Sequence, residues 1–116
     1  GWNELHEDEL GLLWEHVVLE TLMASRDPST IFFWRDKQKR EVDFILPRDD
    51  QVCDAIECKW NPDHLSMRGF KAFRQLYPKG RNTVISPQIH VPYARTTDGL
   101  EIAYCDLASW QTAFAQ

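Results

Sequence analysis

Three charged side chains on two consecutive extended segments are the residues best placed to do chemistry. In Glu41 to Leu46 polar and apolar positions alternate, so Asp43 shares a face with Glu41 and Ile45 while Val42, Phe44 and Leu46 face the other way. In the next segment, Val52 to Trp60, Glu57 and Lys59 share a face with Ala55, and Ile56 and Cys58 lie on the other. Antiparallel pairing of the two segments places Asp43 beside Glu57, with their carboxylates within a metal's reach. Two carboxylates among apolar neighbours repel each other and lose hydration, so a divalent cation between them is the natural resolution. Lys59 is the second positive partner.

Glu15 adds an independent line. It stands in the apolar stripe of a first helix, with Leu12 before it and Val18 and Leu19 one turn after. The helix end, His16 or a cation seen through water could each satisfy a core-facing Glu, and Asp43 and Lys59 are the sheet positions able to meet it.

The elements that must position these residues follow the order α-β-β-β-α-β. Leu5, Leu12, Val18, Leu19, Leu22 and Met23 recur at helical spacing from Glu4 to about Ala24, and Asp27-Pro28-Ser29 supplies turn chemistry. Thr30 to Arg35 is β-branched and aromatic and forms a hairpin with Glu41 to Leu46, across the polar turn Asp36 to Arg40. Pro47 and Asp49-Asp50 close the second strand, and Asn61-Pro62-Asp63 stops the third. A second helix is predicted over His64 to Leu76, with Gly69, Phe70, Phe73, Leu76 and Tyr77 on one stripe, ended by Pro78-Lys79-Gly80. Asn82 to Ser86 reads as a short strand, Ile89 to Tyr93 and Leu100 to Cys105 as edge strands, and Leu107 to Phe114 as a closing helix.

With 116 residues, 43% apolar and 27% charged, the chain reads as a single domain over 1–116 and excludes collagenous or low-complexity classes. No apolar run is long enough to span a membrane and no leader opens the chain. Cys53, Cys58 and Cys105 read as reduced and structural, and the expected compartment is cytoplasmic, with no membrane partner. The four His show no paired metal-ligand spacing, no Cys-x-x-Cys exists, and there is no Gly-rich phosphate loop, so zinc and nucleotide sites are not expected. The net charge of -5 hides an uneven arrangement. Residues 1 to 28 carry seven acids against Arg26, whereas His64 to Thr97 has no acid and six bases: Arg68, Lys71, Arg74, Lys79, Arg81 and Arg95. A polyanion would meet a localised basic face there; the plainer alternative is a solvated helix face.

Four fragments carry a resemblance: Gly11-Leu12-Leu13-Trp14-Glu15, Phe33-Trp34-Arg35, Arg40-Glu41-Val42-Asp43-Phe44 and Ala55-Ile56-Glu57-Cys58-Lys59. With the αβββαβ order, the chain resembles the PD-(D/E)XK nuclease-like superfamily, and more narrowly the uncharacterised C-terminal domain of bacterial and archaeal AAA-type ATPases. The resemblance implies an α/β fold with a restriction-endonuclease-like core, a central mixed sheet flanked by helices. It also implies that Asp43 and Glu57 ligate Mg²⁺ or Mn²⁺, that the Cys58 carbonyl completes the site, that Lys59 positions or activates the attacking water, and that Glu15 is an outer ligand acting through water.

Two readings follow. The first is a metal-dependent deoxyribonuclease in which Glu15, Asp43, Glu57 and Lys59 are catalytic. Arg68, Lys71, Arg74 and Lys79, with Arg35 and Arg40, would contact DNA phosphates without reading bases. The second is a catalytically inactive nuclease-fold domain that serves as a regulatory or docking module of an ATPase, favoured by the acidic first helix. The helix already under way at Gly1 suggests the C-terminal part of a longer ATPase chain, with the ATPase domain upstream.

Overall fold

A computed structural model describes residues 2–114, with side chains from His6 to Ala113; that of Leu5, expected on the buried stripe of the first helix, lies outside them. The chain forms α1 (Trp2–Ser25), β1 (Phe32–Arg35), β2 (Glu41–Asp49), β3 (Val52–Cys58), α2 (Arg68–Leu76), β4 (Asn82–Ile85), β5 (Tyr93–Thr97), β6 (Leu100–Cys105) and α3 (Leu107–Phe114). The six strands make one mixed sheet in the order β1-β2-β3-β4-β6-β5. β1, β2 and β3 are antiparallel neighbours. β4 lies parallel to β3, as the crossover through α2 requires, and β6 lies parallel to β4. β5 closes the far edge as the antiparallel partner of β6.

Each face of the sheet has its own core. On one side Val18 and Leu22 of α1 and Trp110 of α3 pack against Phe44, Ile56 and Ile85. On the other, Phe70 and Phe73 of α2 pack against Val42, Ile45, Ala55 and Val84. The result is three layers, helix on sheet on helix. Among the described residues no helix is long and apolar enough to cross a membrane, and the three cysteines are free.

Several expected boundaries move, each for a local reason. The second helix starts at Arg68 rather than His64, because Asn61 accepts the Asp63 N–H at 2.9 Å and fixes a short 3-10 turn over Pro62–His64. β2 runs on to Asp49 through Pro47, where the pairing with β3 becomes irregular. The strand expected at Ile89 to Tyr93 begins only at Tyr93. The buried row of α1 is Val18 and Leu22, so Leu12 and Met23, expected inside, are exposed. In α2, Leu76 and Tyr77 are likewise exposed, and Arg74 is buried in their place.

The expected alternation of β2 also fails at one point. Val42 and Ile45 both enter the α2-side core while Phe44 and Leu46 enter the other, so the strand carries one residue too many between Val42 and Ile45. Opposite that stretch, β1 offers Phe33 alone against Asp43 and Phe44, which is a β-bulge.

Candidate functional site

The bulge re-aims Asp43. Regular pairing of β2 with β3 ends at Phe44 opposite Ile56. One pair further, the Cys58 N–H is taken by the Asp43 carboxylate, at 2.8 Å from Oδ2, rather than by the β2 backbone. Glu57, the β3 residue before Cys58, lines the same cleft as Asp43. Their carboxyl groups act on each other electrostatically, the Asp43 charge raising Glu57.

Two clefts meet at this point, and Asp43 and Lys59 line both. On the α1 side, a cleft of about 430 Å³ is edged by Glu7, Asp8, Glu15 and His64, with Trp60 half-buried in its wall. On the α2 side, a smaller cleft of about 210 Å³ holds Glu57 and is edged by Lys39, Arg40, Glu41 and Arg68. Glu57 is 7% exposed. Burial first and then the Asp43 charge, opposed by Lys59, raise its carboxyl from 4.5 to about 9. Asp43 is also held above the ordinary carboxylate range by burial, against the Cys58 N–H and Lys59. Burial, followed by the Asp43 charge, raises Glu15. Three acids that reach one another electrostatically, with one ammonium acting on all three, form a single charge cluster.

Glu15, Asp43, Glu57, Lys59 and the Cys58 backbone are thus brought together, and Arg68 and Arg40 border the same place, Arg40 with its Nε paired to Asp36 at 2.7 Å. Other bases of the expected phosphate-binding set go elsewhere. Lys71 pairs with Asp98 at 3.6 Å, and Arg35 stands 4.0 Å from Glu41. Lys79 lies at the other end of β3, where its carbonyl takes the Cys53 N–H. Arg74 is a correction. Its buried guanidinium donates to the Asn82 side chain at 2.7 Å and to the carbonyls of Cys53, Tyr77, Lys79 and Arg81 at 2.7 to 3.1 Å. All five N–H groups are used, and none remains for a phosphate.

Three contributors escaped the sequence reading. Glu41 adds its charge to Asp43 and Glu15. His64 Nδ1 pairs with Glu7 at 2.9 Å across the rim of the α1-side cleft, a contact that no spacing foretells. At Gly69 a Cβ would overlap the Glu41 carbonyl oxygen and stand 3.6 Å from Glu57 Oε1, so the missing side chain lets α2 press on the site. An isolated glycine in a helical pattern is the signal that could have found it.

Among the described residues no three His, Cys, Asp or Glu side chains come together closely enough to enclose a metal by themselves. The donors available are two carboxylates and a backbone carbonyl, all hard oxygens. That set fits Mg²⁺ or Mn²⁺, since Mg²⁺ keeps several waters and takes one or two carboxylates from a protein.

No curated protein matches the chain. A family profile matches residues 10–104, which include Glu15, Asp43, Glu57 and Lys59. The chain therefore belongs to the family described as a domain of unknown function, DUF4143.

Proposed function

We propose that the chain is a metal-dependent nuclease domain with a restriction-endonuclease-like core, acting on the phosphodiester bonds of DNA. The observation that carries this reading is the adjacency of a half-buried and a buried carboxyl group, Asp43 and Glu57, beside Lys59 at a bulged strand end. The element order and the parallel β3, β4 and β6 support the core assignment.

Asp43 and Glu57, with the Cys58 carbonyl, would hold Mg²⁺ or Mn²⁺, and Glu15 would hold a water of its shell. The ion, when bound, activates water and neutralises charge developing on the phosphoryl oxygens. Lys59 orients the attacking water by hydrogen bonding and stabilises the added negative charge. Arg40 and Arg68, at the rim of the α2-side cleft, position the phosphate backbone. The carboxyl of Glu57, raised to about 9, accounts for a proton in the cation's place at neutral pH, which a divalent ion would displace on binding.

The test is cleavage of supercoiled plasmid in Mg²⁺ or Mn²⁺ by the parent, Asp43→Asn and Lys59→Ala. Nicking by the parent that both variants lose supports the assignment. Equal nicking by all three, or by none, removes it.

A second reading has its own support. Because Glu57 can hold a proton, the cluster is stable without a cation, as in a domain that keeps the scaffold for docking. The family is often found with AAA-type ATPases, which would be the partner in the same chain. Calorimetric titration with Mn²⁺ separates the two: the nuclease reading requires binding that Asp43→Asn abolishes, and the docking reading requires none.

A further inference from the structure

We propose that the groove along the free edge of β1 docks an extended segment of a partner protein and receives from it a lysine or arginine side chain. β1 is the outermost strand, and among the described residues no strand pairs with its other edge. Exposed edges can take an added strand, and β1, though short, carries no Pro and a single charge at its end, Arg35, 4.0 Å from Glu41. The groove beside it, of about 350 Å³, lies on the α2 face of the sheet, bounded by Phe32, Phe33 and Trp34 of β1 and by Ile45, Phe73 and Tyr77 further in. Phe33 is 78% exposed and Phe32 51%. Such aromatic surface at a sheet edge marks an interaction site.

The chemistry of the occupant follows from the walls. Trp34, Phe73 and Tyr77 form a continuous aromatic side, with ring centroids 5.4 and 5.0 Å apart. Asp49 and Asp50 also line the groove, none of its lining residues is a base, and Lys79 borders the adjoining small cleft that Asp50 and Tyr77 share. Neither acid makes an ion pair among the described residues. A long cationic side chain satisfies both halves, its methylenes on the rings and its head on the carboxylates. Acidic segments are repelled by the same pair. Phe33 faces the Asp43 bulge, but Asp49 and Asp50 stand at the far end of β2 and line neither cleft of the proposed nuclease site, so the acid pair is tested apart from that reading.

The experiment pans a library of short random peptides against the chain, then measures the affinity of the selected peptide by fluorescence anisotropy for the parent, D49N/D50N and Phe33→Ser. All three positions are exposed, and thermal melts confirm that the variants fold. The expected result is enrichment of Lys or Arg flanked by apolar residues, with affinity lowered about tenfold or more by D49N/D50N and lowered by Phe33→Ser. No enrichment, enrichment of acidic or purely apolar peptides, or equal affinity for D49N/D50N overturns the proposal. So does a concentration-dependent dimer lost in Phe33→Ser, which assigns the edge to a second copy of the chain.

Discussion

Glu57 makes the folded chain sensitive to base. Its carboxyl, raised by burial and by the Asp43 charge from 4.5 to about 9, binds a proton more tightly folded than unfolded. Between those values the folded state therefore carries more protons, and stability falls as pH rises, by at most about 1.4 kcal/mol per pH unit for this one group. Asp43 is shifted the same way and steepens the fall. Thermal melts of the chain in chelator across that range should show this loss, and Glu57→Gln, which keeps the shape without the charge, should flatten it. Arg74 carries a stability prediction of its own. Arg74→Met leaves Asn82 and four carbonyls without their donor, and should cost about 3 kcal/mol or more in urea denaturation. The sequence could not separate Arg74 from Arg68: both are bases on one short helix, and only the carbonyls gathered from β3 and the α2–β4 turn decide which is buried.

Elements of regular pattern were legible, and those shaped by contact were not. The alternation in β2 and β3 and the punctuation by Asn61-Pro62 foretold the hairpin, the crossover and the neighbouring Asp43 and Glu57, because burial on two faces imposes those patterns directly. The bulge was invisible, since one extra residue in a strand leaves no compositional mark; it appears only when β1 is laid against β2. The seating of α2 on β2 was equally hidden. It depends on Gly69 lying against the Glu41 carbonyl. Gly69→Ala should push the helix off the strand, at a cost of about 1–3 kcal/mol read by thermal or urea melts. The same displacement widens the space around Glu57, so the pH dependence of stability should weaken in this variant.

The whole molecule presents opposite charge at the two mouths of one site. Glu7, Asp8 and Glu15 edge the α1 side, whereas Lys39, Arg40 and Arg68 edge the α2 side, although the net charge is -5. A polyanion is steered to the second mouth and repelled from the first. On the nuclease reading, R40A/R68A should therefore weaken DNA binding and lower the slope of log K against log salt by about 2. Glu7→Gln should leave that slope unchanged in the same anisotropy titration. One consequence of the bulge reaches the entire chain. Without position 43, Val42, Phe44, Ile45 and Leu46 would alternate between the two cores, and Phe33 would face Phe44 alone. Asp43 is supernumerary to the architecture, so excising its codon, rather than exchanging it, yields a polypeptide that assembles normally yet lacks the acid, a clean separation of scaffold from chemistry.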